Sequence, residues 1–213
     1  ITGEVKADKF TNDEALPTIR PSLLLDFANS KTLDPRITFT RGSTATYWDG
    51  KTTAKAEENL IARSEEFNLW SVTKVSVTAN DTTAPDGTTT ADRMTADGTS
   101  GFHWVGISSG TGHMMSVYVK AGTNDLIQIL VGNSGTPFAN FDLTNGTVTG
   151  FGTNCSDSSI ASVGNGWYRC TLHSTDELYN MYVAIISTDS ANRAETNTES
   201  GYVYLWGAQV EKR

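Results

Sequence analysis

Cysteine and proline are scarce in this chain of 213 residues, which has two of the first and five of the second. Two cysteines, Cys155 and Cys170, are too few for a disulfide framework and lack the spacing of a metal knuckle. Basic charge is also short, with 16 Lys and Arg against 24 Asp and Glu and a net charge of −8. A nucleic-acid groove needs clustered cations to neutralise phosphates, so that class of partner is excluded, and anionic membrane surfaces are disfavoured likewise. No stretch approaches the roughly 18 apolar residues needed to span a bilayer, so membrane insertion is not expected. Ile1 is followed by a charged segment, so no secretory leader is expected and an extracellular role would require another route of release.

What is present is 38% hydrophobic residues, only 19% charged ones, 19 glycines and abundant Thr. This suits a packed core built from many short strands and tight turns. Residues 1–57 are the least regular part, an N-terminal attachment segment with a weakly alternating arm at Ile1–Phe10 that could add a strand to a neighbour. Within it, Ser22–Ala28, Ile37–Thr40 and Thr44–Trp48 read as short strands, and Lys51–Glu58 as a solvated connector. From residue 58 onward, alternating segments recur every 8 to 12 residues or so. Asn59–Trp70 reads as the opening strand. Val75–Ala79, Thr88–Thr95, Phe102–Ile107, His113–Lys120, Asp125–Val131, Pro137–Leu143, Thr147–Phe151, Ser158–Val163, Trp167–His173, Leu178–Ser187 and Tyr202–Glu211 follow. Asn145-Gly146 and Gly164-Asn165-Gly166 are hairpin signals. With the second as pivot, Cys170 falls opposite Ile160 rather than Cys155, so two small core residues are favoured over a bridge, which needs Cα atoms within about 7 Å.

The run Asn59-Leu60-Ile61 with Phe67 and Trp70 resembles the opening of jelly-roll carbohydrate-binding modules and of related modules in bacteriophage virion proteins. Pro21–Ser30, Leu33–Phe39 and Arg41–Tyr47 resemble a segment that recurs in structural proteins of tailed phages. Thr83–Asp92, Ser116–Gly122, Gly166–Cys170 and Trp206–Glu211 continue the likeness. The resemblance implies an all-β jelly-roll sandwich of two antiparallel sheets over residues 58–213. It also implies a place on the virion surface as capsid decoration or tail fibre, contacts with other virion proteins, and a homo-oligomer. It further implies a structural Ca²⁺ near the first and last strands, where Glu66 and Glu211 are the candidate oxygen donors; no other cofactor is implied.

Period-two alternation assigns the faces. Val105, Ile107, Val117, Val119, Ile127, Ile129, Val131, Tyr168, Cys170, Leu172, Met181, Val183 and Ile185 point inward. That turns Trp104, Tyr118, Gln128, Trp167, Arg169 and Tyr182 outward. Sugars offer an apolar C–H face and a rim of hydroxyls; flat rings take the first, amide and guanidinium groups the second. These six are therefore the candidate carbohydrate site, for a cell-surface glycan. The same rings could instead pack beneath the N-terminal segment or a neighbouring subunit. Tyr202–Glu211 is apolar on both parities, which fits a strand covered on both sides.

Catalytic constellations are missing. Tyr118–Asn124, Arg63–Glu66 and Gln128–Leu130 echo signatures of jelly-roll alginate lyases, but their order differs and Leu130 stands where the lyase has its His. Glu65 and Glu66 are adjacent and Asp176-Glu177 falls in an expected turn, so no glycosidase pair emerges. His103, His113 and His173 are isolated and expected as scattered surface or loop residues rather than metal ligands. No enzyme activity is expected. Three roles remain: a virion protein that binds glycan, an architectural cement protein, and a polysaccharide-binding module of a secreted enzyme.

Overall fold

A computed structural model describes residues 46–48, 53–55, 59–131, 137–155 and 157–212. The chain divides into two compact units, Ile1–Thr44 and Ala45–Arg213. The expected arm and the strands at 22–28 and 37–40 lie outside the described residues. In the second unit, β1 (Thr46–Trp48) and β2 (Thr53–Lys55) pair as a small antiparallel hairpin. Part of the expected connector is thus a strand.

The remaining strands make a β-sandwich. One six-stranded sheet has the order β10-β9-β8-β13-β6-β3, and the other β11-β12-β7-β14-β5-β4. In chain order these are β3 (Ser71–Thr73), β4 (Val75–Thr82), β5 (Ala91–Ala96), β6 (His103–Ile107) and β7 (Gly112–Ala121). Then come β8 (Leu126–Val131), β9 (Phe138–Asp142), β10 (Thr147–Phe151), β11 (Ser159–Gly164), β12 (Trp167–Leu178), β13 (Met181–Ile185) and β14 (Tyr202–Glu211). All pairings are antiparallel, and successive strands pass repeatedly from one sheet to the other.

The residues assigned inward by alternation form the core. Val105, Ile127, Ile129, Met181, Val183 and Ile185 of the β8 sheet meet Met115, Val117, Val119, Cys170 and Leu172 of the β7 sheet, all fully buried. Burying one such aliphatic side chain stabilises the fold by about 1.5–3 kcal/mol. The β11–β12 hairpin turns through Asn165 and Gly166, whose φ angles of 54° and 78° suit these two residue types. Ile160 pairs with Cys170 as the turn dictates, and both cysteines are free.

Three expectations fail for identifiable reasons. Asn59–Trp70 is no strand: it is irregular and ends in a 3-10 turn at Phe67–Leu69. Its apolar residues Ile61, Phe67 and Trp70 plug the core, while the Asn59 side chain bonds Ala208 O and accepts Val210 N–H. Asp176-Glu177 lies inside β12 rather than in a turn. The double apolar parity of β14 comes from a bulge. Register shifts between Trp206 and Gln209 at Gly207, whose φ is 59°, so Val203, Leu205, Ala208 and Val210 all reach the core. The outer residues Tyr202, Tyr204 and Trp206 remain half-buried, not sealed.

Candidate functional site

The six residues expected on one open face are divided between the two outer faces of the sandwich. Trp104, Gln128 and Tyr182 stand on β6, β8 and β13 of one sheet; Tyr118, Trp167 and Arg169 stand on β7 and β12 of the other. A single platform holding all six is therefore corrected to two separate surfaces. Alternation fixes which side of its own sheet a residue faces, but not which sheet its strand joins.

On the first sheet, Gln128 points outward yet is fully buried. The loop between β13 and β14 folds over it. Gln128 Nε2 donates to Asn140 Oδ1 at 2.8 Å and to Asn192 O at 3.1 Å, and its Oε1 accepts Ala194 N–H at 2.9 Å. The Asn140 amide in turn donates to Ala191 O and Asp189 O. Arg193 reaches the Val131 carbonyl and Asn197 the Ile185 carbonyl. Gln128 is a buried clamp for a loop and not a ligand contact. Sequence offers a signal for this in hindsight: Gln128 and Asn140 pair across β8 and β9, and two facing amides suit side-chain partners better than solvent.

Next to that loop, three rings stay half-buried. Trp104 and Tyr182 meet edge-to-face with centroids 4.7 Å apart, and Phe102 lies 6.3 Å from Trp104. Gly106 makes the arrangement possible, because a Cβ there would stand 2.4 Å from the Tyr182 ring. Ser71 and Thr73 of the edge strand pair with Gly106 and Trp104, which places them on the same face. Phe102, Ser71 and Thr73 were missed by the sequence reading; Phe102 precedes its strand, and Ser71 and Thr73 carry no aromatic signal.

On the second sheet Trp167 is buried as well. The segment 83–90 between β4 and β5 lies against it, with Ala84 packed on the ring and Trp167 Nε1 donating to Thr83 O at 3.2 Å. Trp206 Nε1 donates to Thr90 Oγ1 at 3.0 Å. Thr88–Thr90, expected at the start of a strand, belongs to this covering segment instead. Tyr118 packs on Trp206 with centroids 5.3 Å apart and keeps partial exposure. Arg169 donates from Nε and Nη2 to Ser116 Oγ and stands 3.8 Å from the Glu211 carboxylate. Trp206 and Tyr204 also stand on this face, although the double apolar parity of β14 suggests a strand covered on both sides.

The two carboxylates expected to hold calcium stand in different surroundings. Glu66 is exposed at the start of the 3-10 turn, whereas Glu211 is buried beside Arg169. Among the described residues no three His, Cys, Asp or Glu side chains gather at one point. His103, expected at the surface or in a loop, opens β6 and is fully buried with Nε2 3.4 Å from Asp97. A comparison with protein-family models finds none that matches, and a comparison with curated proteins finds no significant relative.

Proposed function

We propose that the protein is a non-catalytic, glycan-binding sandwich of jelly-roll type that serves at the surface of a tailed-phage virion. The observation that carries the binding role is the half-buried platform of Phe102, Trp104 and Tyr182 on one outer face. Rings held by neighbours rather than by solvent lose little freedom when a sugar stacks on them. Gly106 lets the Tyr182 ring lie flat against its strand, and Ser71 and Thr73, paired with Gly106 and Trp104, supply a polar rim beside the rings. The virion role is supported by the sequence likeness of residues 21–47 to phage structural proteins. Many copies on one particle would multiply weak single contacts through effective concentration.

The test is a glycan array probed with the full chain and with Trp104→Ala and Tyr182→Ala. Each substitution should weaken binding about tenfold, the equivalent of about 1.4 kcal/mol of stacking. An array that stays blank for the unsubstituted protein, together with copurification on capsid or tail particles, would replace adhesion by an architectural role.

A further inference from the structure

We infer that the opposite outer face, on the β7 sheet, is a second binding surface whose ligand is an acidic, carboxylate-bearing polysaccharide. This extends beyond the first ring platform and does not depend on it. Register sets rings and cations in alternation. Trp167, Lys120, Tyr204 and Arg93 lie side by side across β12, β7, β14 and β5. One step along the strands, Arg169, Tyr118 and Trp206 do the same. Every cation thus has a ring as its cross-strand neighbour, and strands stand about 4.8 Å apart. A hexuronate laid on Tyr118 or Tyr204 would stack its C–H face on the ring. Its carboxylate would then fall one strand over, against a cation.

Cations are scarce in this acidic chain, so their convergence on one face is a departure from its overall charge. They are not equivalent. Arg93 lies 3.6 Å from Asp81 and over the Tyr202 ring, and Arg169 leans on Ser116 and Glu211. Among the described residues, no carboxylate pairs with Lys120. Lys120 is therefore the principal anion contact, with the remaining guanidinium donors of Arg169 beside it. The 83–90 segment seals Trp167 but leaves Lys120, Tyr118, Tyr204 and Arg169 half-exposed.

The test titrates the full chain with polygalacturonate and with the same polymer fully methyl-esterified, at low and high salt. The acid form should bind and the ester should bind markedly less, with affinity for the acid falling as salt rises. Lys120→Gln should weaken acid binding about fivefold, the scale of one exposed charge contact, while leaving thermal stability unchanged. Tyr118→Ala should weaken both polymers, and Trp104→Ala neither. Equal binding of acid and ester, no binding of either, or an unaffected Lys120→Gln variant would overturn the proposal. Loss of acid binding in Trp104→Ala would move it to the other face and overturn it equally. A blank result for neutral glycans with retained polyuronate binding would sink only the first platform.

Discussion

Individual side chains show how polar groups buried by this fold are used. Asp92 sits at a core-facing position of β5, nearly sealed, and accepts N–H groups from Asn80 at 2.9 Å and Asn68 at 3.3 Å. It ties the irregular lead-in segment to the bulged end of β4. Burial pushes its carboxyl above the ordinary 3.8, outweighing the backbone donors that act the other way. A carboxyl raised in the fold stabilises most below its unfolded value, and that contribution is lost as pH rises through the folded one. Asp92→Asn should therefore lower the melting temperature, and the deficit should be largest in acid and narrow toward neutrality; a deficit that widens with pH would contradict this account. Gln128→Leu leaves the Ala194 N–H and the Asn140 amide short of partners and should cost about 1–3 kcal/mol, read by urea unfolding. For the thiols, burial raises the Cys170 group far above its usual value and the half-buried Cys155 group to a lesser degree. Native protein should accordingly react slowly with a thiol reagent at Cys155 and not at Cys170, and both should react in denaturant.

Strands, turns and covering loops differ in how much of them could be read from residue order. Alternation located nearly every strand of the sandwich and its inward set, because a two-residue period on a half-buried sheet leaves a direct trace in hydrophobicity. The Asn145-Gly146 and Asn165-Gly166 turns are legible for a related reason, since Gly146, Asn165 and Gly166 adopt the positive φ that few residue types accept. Three things left no such trace. Sheet membership is set by long-range pairing, so Tyr118 and Tyr182 looked like neighbours although they lie on different sheets. Loop coverage depends on where an irregular segment returns, so Gln128 and Trp167 looked open when they are sealed. The bulge at Gly207 made one strand look doubly apolar. Gly106→Ala tests the element-scale design of the ring platform. Its new methyl must displace the Tyr182 ring, so stability should fall by about 1–3 kcal/mol and glycan binding should weaken without loss of either ring.

For the whole molecule, acid tolerance is governed by turn carboxylates. Hydrogen bonds from Thr88 to Asp86, from Thr99 to Asp97 and from Asn145 to Asp142 hold these groups below 3.8. The stability they contribute is present above that value and is lost as pH falls through their lowered ones, so thermal midpoints should drop on acidification below about pH 4. Backbone geometry adds one more property at this scale. Leu60 N–H bonds to the Val210 carbonyl at 2.9 Å, and the Asn59 side chain clasps the same strand. The first and last segments of the sandwich therefore run beside each other, like the two sides of a loop drawn closed at its neck. Splicing Lys212 to Asn59 through a few glycines and reopening the chain at Asn165 would give a rearranged sequence that could still close the same sandwich.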